Sequence, residues 1–247
     1  MVLVRSMVSA RGLGAGSMGV VLSLAAGTGL CAAQTVPFTE RFESGPAQWY
    51  NADLSALATA IATGGPASSA SYASVGYSFL DASPNPQTPP VILQTRPGFN
   101  SSGNNFFGNW ITSSVTAFSF AVRHNVPATL VPGGLTFFAR FAATGNFPGA
   151  VAVGFAPVPA NTWTTITIPI SALSPNFVSF EGTDFATVFG SIGRLQLGVI
   201  PASVLIGTEP SYTFDFTSIT IVPGPSGAAL LACAGLMAWR RRRGPAQ

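Results

Sequence analysis

The sequence predicts an all-β protein: a single jelly-roll-like antiparallel β-sandwich, flanked by an N-terminal signal helix and a short C-terminal transmembrane helix. Three observations carry this. Apolar residues recur with period two in many short stretches, the pattern of strands that turn one face to a core. Dense turn punctuation separates the stretches, as in Pro132-Gly133-Gly134, Thr144-Gly145-Asn146 and Pro157-Val158-Pro159-Ala160-Asn161. Short strands divided in this way suit a sandwich or jelly roll. Outside this body, apolar runs stand at the two ends, each beside Arg residues.

Residues 1–33 read as an export signal. Arg5 and Arg11 supply its positive region, Met18 to Leu30 its apolar stretch, and Cys31-Ala32-Ala33 the small residues for cleavage before Gln34. The stretch is short for a lasting anchor, since a span needs about 20 apolar residues. Residues 34–221 then form a body of single-domain size. Within it, Leu54, Leu57, Ala58 and Ile61 have helical spacing with Asp53 as a cap, yet Ala58 to Ala62 before Gly64-Gly65-Pro66 also read as a short strand. The β character of the rest favours the strand. Ser83 to Pro90 and Gly98 to Asn109 are loops by composition.

The strands come next. Phe118, Phe120 and Val122 share one face, with Ala117, Ser119, Ala121 and Arg123 on the other. Leu135, Phe137, Ala139 and Phe141 align, as do Val151, Val153 and Phe155. Thr164, Ile166, Ile168 and Ile170 form a further set, and so do Leu195, Leu197 and Val199. The last strand, Tyr212 to Ile221, changes parity between Phe214/Phe216 and Ile219/Ile221. A bulge near Thr217-Ser218 reconciles the two halves; the other solution is that both faces are covered.

The tail, residues 222–247, opens with Val222-Pro223-Gly224-Pro225-Ser226. Pro stops the preceding strand, because it brings no N–H to the ladder. An apolar helix over 227–239 and the cluster Arg240, Arg241, Arg242 and Arg243 come after it, the Arg residues staying cytoplasmic by the positive-inside rule. The run is short for a permanent span. In this order and position, Val222, Pro223, Pro225 and Arg240 to Arg243 resemble the PEP-CTERM sorting signal of Gram-negative bacteria; Gly224 stands where that signal usually has Glu. The resemblance covers about the last 26 residues. It implies export, transient anchoring in the inner membrane, recognition by an exosortase-type membrane protease, and release or attachment at the cell surface. Members of that family often accompany exopolysaccharide and biofilm production.

Charge narrows the partners. The chain has eleven Arg, no Lys and eight Asp plus Glu, for a formal +3. Six of the Arg lie at the ends, so the body holds five Arg against eight carboxylates, a charge of −3. Nucleic-acid affinity rests on clustered cations, so nucleic acid is set aside as a partner. Cys31 and Cys233 fall in the signal and the tail, which leaves the body without a disulfide.

The body resembles the β-sandwich domains of carbohydrate-binding modules and related bacterial surface proteins. The residues that carry this are Phe42-Glu43-Ser44-Gly45 with Trp49, Gly108-Asn109-Trp110 before Ser119 to Arg123, Trp163 to Ile166, and Tyr212 to Phe216. The resemblance implies a structural Ca²⁺ between the first and last strands, and Glu40, Glu43 and Asp215 are its candidate ligands. Calcium takes six to eight oxygens, so backbone carbonyls must join them. The plainer reading is solvated edge charges beside Arg41. Trp49, Trp110 and Trp163 are read first as core or edge-capping residues, since Trp is buried on average. Trp163 lies opposite Ile166 and Ile168 and is the candidate for stacking on a sugar. Arg123 and Arg140 point away from the core by alternation and are candidate planar donors to hydroxyls or acidic sugars, or else ordinary solvent-facing residues.

Enzyme signatures are thin. His124 is the sole histidine, Gly-x-Ser-x-Gly is absent, and Glu181 and Asp184 are the closest approach to a glycosidase carboxylate pair. The expectation is an exported, non-catalytic protein that binds or structures polysaccharide at the cell surface or in a matrix. The alternatives are a structural or adhesive surface protein with no glycan site, and a glycan-active hydrolase.

Overall fold

The computed structural model describes residues 35–83, 89–96 and 98–224. The expected signal helix, Pro225, the apolar helix over 227–239 and the Arg cluster lie outside these residues. Among the described residues, no helix is long and apolar enough to cross a membrane.

Two antiparallel sheets form the body. The first holds β1 (Phe38–Glu40), β2 (Thr59–Ile61), β3 (Tyr72–Ser78), β5 (Val115–His124), β8 (Thr164–Pro169) and β11 (Ser211–Pro223), in the order β2-β3-β11-β5-β8, with β1 also on β11. The second holds β4 (Val91–Gln94), β6 (Thr136–Ala143), β7 (Gly149–Ala152), β9 (Phe177–Ser179) and β10 (Ile192–Ile200), in the order β4-β10-β6-β7-β9. A short helix, α1 (Phe185–Phe189), precedes β10.

Alternation works as the sequence implies on β5, β6, β8 and β10, whose inward residues are aromatic or aliphatic. Phenylalanines from the two sheets meet in the middle: Phe118 and Phe141 at 5.1 Å, Phe137 and Phe214 at 6.3 Å, mostly edge to face. Such pairs add about 0.5–1.5 kcal/mol each beyond their buried area. Trp110 packs on Phe118, Phe141 and Phe189, and Trp49 on Phe42 and Phe106. Both indoles are fully buried, and both have a partner for the N–H: Ser102 Oγ at 2.7 Å for Trp49, the Phe106 carbonyl at 2.9 Å for Trp110.

The parity change in β11 is a bulge. Thr217 pairs with Ala121 and Thr220 with Ser119, so an extra residue is absorbed between them. Ser218 takes it up with φ of 48°. The bulge divides the opposite edge of β11 as well: Ser211 to Phe216 pair with β3, and Ile219 to Ile221 with β1.

Three boundaries and faces differ from the sequence reading. β11 continues through Val222 and Pro223, beyond the expected end at Ile221, and Gly224 N–H still donates to the Ser114 carbonyl at 2.7 Å. Pro223 takes the last ladder position, where its missing N–H opens no bond inside the sheet. In β7 the inward residues are Ala150 and Ala152, while Val151 is half-buried on the outer side. Ala150 and Ala152 oppose the core-facing Phe141 and Ala139, and that register outweighs the greater hydrophobicity of the valines. Residues 98–109 contain a short 3₁₀ turn at Ser101–Asn104.

Candidate functional site

The outer faces of the two sheets carry different polar groups, and the predicted ligand-binding residues divide between them. Arg123 of β5 and Trp163, just before β8, meet on the first sheet. Arg140 of β6 stands alone of the three on the second.

On the first sheet Arg123 is fully engaged. Its Nε and Nη2 donate to Asp215 Oδ2 at 2.9 and 2.6 Å, and Nη1 donates to the Gly64 carbonyl. Its guanidinium lies 4.7 Å from the Trp163 ring centre and 5.2 Å from that of Tyr72, and the two rings meet edge to face. Trp163 Nε1 donates to the same Gly64 carbonyl at 3.2 Å. Gly64 belongs to the β2–β3 connection, which lies across this face. Farther along that connection, Ser69 and Ser71 accept from Thr217 Oγ1 on β11. Cross-strand register explains the pairing, because Asp215 opposes Arg123. This cluster clamps a loop onto a sheet.

That pairing also separates the three acids named for calcium. Asp215 answers Arg123, with Oδ1 buried and without a hydrogen-bond partner. Glu40 aligns with Ile219, four residues on, about 13 Å along the strand at 3.3 Å per residue. Its carboxylate accepts from Phe42 N–H at 2.7 Å and Ser102 Oγ at 2.8 Å, and Glu43 is exposed in the following loop. Among the described residues, no three Asp, Glu, His or Cys side chains gather as a metal would need. The residues present do not fit the expected calcium site.

The second sheet carries a rung of polar side chains across its outer face. Glu181, after β9, takes Arg140 in a two-bond fork at 2.5 and 2.7 Å. Arg140 Nη1 also donates to Gln196 Oε1 at 2.6 Å and Asn146 Oδ1 at 2.9 Å, and Nη2 to the Asn146 carbonyl. Gln196 Nε2 donates to Gln94 Oε1, and Gln94 Nε2 to the Ala52 carbonyl. The Arg140 hydrogen bonds hold the Glu181 carboxyl below the usual carboxylate range, against the opposing effect of burial. Asp184 caps α1 by accepting from Thr187 N–H at 2.8 Å. Glu181 and Asp184 are therefore each engaged in structural work and do not form the carboxylate pair weighed for a hydrolase.

Beside this rung stand two residues that sequence reasoning does not single out, Arg194 and Arg96. Gln196 opposes Gln94 across β10 and β4, and the pairing continues through Leu195 and Thr95, which sets Arg194 opposite Arg96. The Arg96 guanidinium lies over the exposed Phe99 ring at 4.2 Å, and Phe99 meets Tyr50 edge to face at 5.4 Å. Arg194 Nε is buried without a hydrogen-bond partner. Its burial, and then the charges of Arg96 and Arg140, lower its pKa. The outward parity of Arg194 and Gln196 is readable from Leu195, Leu197 and Val199. Their meeting with Arg96, about 100 positions away, is not.

No family model matches this chain, and no curated protein does. Among solved structures, the chain is similar to the L4b domain of human laminin alpha-2, with 12% identity over 80% of this chain and 96% of that one and a TM-score of 0.41. It is similar to an exo-beta-agarase, with 12% identity over 76% of this chain, 25% of that one and a TM-score of 0.47. It is similar also to the family 11 carbohydrate-binding module of a cellulosomal cellulase from Clostridium thermocellum, with 14% identity, coverage of 76% and 95%, and a TM-score of 0.42.

The second sheet's outer face offers an exposed ring, two adjacent guanidiniums, and a floor of hydrogen-bonded amides. Flat rings stack on sugar faces, and planar donors meet hydroxyl or carboxylate oxygens.

Proposed function

We propose that the sandwich is a non-catalytic module that binds polysaccharide on the outer face of its second sheet. The observation that carries this reading is Phe99 beside Arg96 and Arg194: a ring 39% exposed next to donors that no carboxylate among the described residues engages. The Arg123–Trp163 cluster, whose donors are used internally, serves to hold the β2–β3 loop. The test is retention of the full-length chain on immobilised polysaccharides. Saturable retention that falls about two- to tenfold in Phe99→Ala, as the loss of one aromatic contact implies, supports the reading. A folded protein retained on no glycan overturns it and leaves a structural surface protein.

The reading of the two ends goes with this. Residues 1–33 direct export, and the tail from Val222 sorts the protein to the surface through an exosortase-type protease after transient anchoring in the inner membrane. The support is the order of motif, apolar run and Arg240 to Arg243 in the sequence. Mass spectrometry of protein recovered from the cell surface tests it. Loss of the four arginines is expected, and their retention would replace sorting with a lasting anchor.

A further inference from the structure

The body has five arginines, and three of them, Arg96, Arg140 and Arg194, share the outer face of the second sheet. Among the described residues one carboxylate reaches this group, Glu181, and Arg140 occupies both of its oxygens. Among the described residues, no carboxylate pairs with Arg96 or Arg194. The body as a whole is acidic, so this face concentrates positive charge that the remainder does not have.

Holding two guanidiniums on opposed positions of one face is unfavourable unless something offsets their repulsion. Like charges on a partly desolvated face repel more strongly than they would in open water. Arg140 is relieved by Glu181. Arg194 is not, and it also keeps a buried Nε with no acceptor, which is itself unfavourable. An oxyanion set between Arg194 and Arg96 would accept from the free edges of both forks and offset the repulsion between the two charges. Guanidinium matches carboxylate and sulfate oxygens in two-bond geometry, which a hydroxyl cannot reproduce.

Building on the binding reading above, we propose that this face recognises an acidic polysaccharide, with Arg96 and Arg194 receiving a carboxylate or sulfate of the chain and Phe99 stacking on the sugar that bears it or on its neighbour. The Arg140–Gln196–Gln94 rung fixes the floor on which Arg194 stands and takes no part in holding the anion. The acidic remainder of the body repels such a polymer, so contact is confined to this face and weakens with added salt.

The experiment is affinity electrophoresis of the full-length chain through gels containing alginate, carboxyl-reduced alginate, dextran sulfate or dextran. Retardation by alginate or dextran sulfate and none by its uncharged counterpart is expected. The acidic polymer that retards identifies the anion as carboxylate or sulfate. Arg194→Gln and Arg96→Gln should each weaken retardation about tenfold or more, while Arg41→Gln, the same charge change at an exposed position on the first sheet's side, should leave it unaltered. Equal retardation by neutral and acidic polymers overturns the acidic assignment and leaves the binding reading standing. Loss of retardation in Arg41→Gln equal to that in Arg194→Gln overturns the site and reduces the effect to net charge. No retardation in any gel by a folded protein overturns both. Arg96→Gln alters a half-exposed side chain and keeps the test open if Arg194→Gln does not fold.

Discussion

His124 is the chain's only histidine, and both of its ring nitrogens are used. Nδ1 accepts from Val126 N–H at 3.2 Å, so the proton sits on Nε2, which donates to the Val158 carbonyl at 2.8 Å. Protonating Nδ1 would set one N–H against another in a site 1% exposed, between Phe137 and Phe214. Burial lowers the His124 pKa below its ordinary 6.5, partly offset by the bond to Val158. The unfolded chain therefore binds a proton that the folded one does not. This contribution to stability is fully present above 6.5 and is lost as pH falls through the lower folded value. Unfolding free energies from urea titrations should drop between pH 6.5 and 5 with a slope of up to about 1.4 kcal/mol per pH unit. His124→Gln should abolish that slope, and a variant that keeps it would assign the effect elsewhere. Gly149 is a second sensitive residue. A Cβ there would stand 2.8 Å from the Arg140 guanidinium, which its five hydrogen bonds hold in place. Gly149→Ala should cost about 1–3 kcal/mol in chemical unfolding through lost Arg140 bonds. An unchanged midpoint would show that the guanidinium can move aside freely.

At the scale of elements, β11 shows what alternation can and cannot disclose. The switch from Phe214/Phe216 to Ile219/Ile221 places the bulge in the sequence itself, and Ser218 marks it with its left-handed backbone. Branched side chains tolerate that backbone poorly, at about 1–3 kcal/mol. Ser218→Val should therefore destabilise the fold by that amount, while Ser218→Gly should stay within about 1 kcal/mol of the parent in the same unfolding assay. An equal loss in both would point to the serine hydroxyl and its contact with Ser68. The inward face of β7 escapes the sequence for a reason of the same kind. Where Ala and Val alternate, both parities are apolar, and only the facing Phe141 of β6 decides which one turns inward. The bulk of the strands can be read because their outward positions hold Ser, Thr, Arg or Gln.

On the scale of the whole molecule, alternation does not say which sheet a strand will join. Arg123, Arg140 and Trp163 are all legible as outward residues, yet Arg140 is parted from the other two because β5 and β8 belong to one sheet and β6 to the other. The three acids named for calcium are dispersed within one sheet: the first and last strands are neighbours, but register sets Asp215 and Glu40 at separate heights. Arg194 does not stand out in the sequence because its significance lies in a neighbour fixed by long-range pairing. Both cysteines lie outside the sandwich, so reducing agent should leave its melting temperature unchanged; a shift of several degrees would reveal a crosslink between the ends.

The continuation of β11 to Pro223 has a mechanical meaning. β11 is an interior strand, bonded along one edge to β5 and along the other to β3 and β1, and its bonding continues to Gly224, whose N–H still donates to Ser114. If the protein is held through Gly224 and pulled along β11 while a polymer drags on the second sheet, that strand carries the load. Its bonds to three neighbouring strands are then sheared together and cannot be peeled off one at a time. A domain tethered in this way yields late under tension, and single-molecule pulling between Gly224 and the second sheet should give a far higher rupture force than pulling on the β1 edge, where three rungs part in sequence.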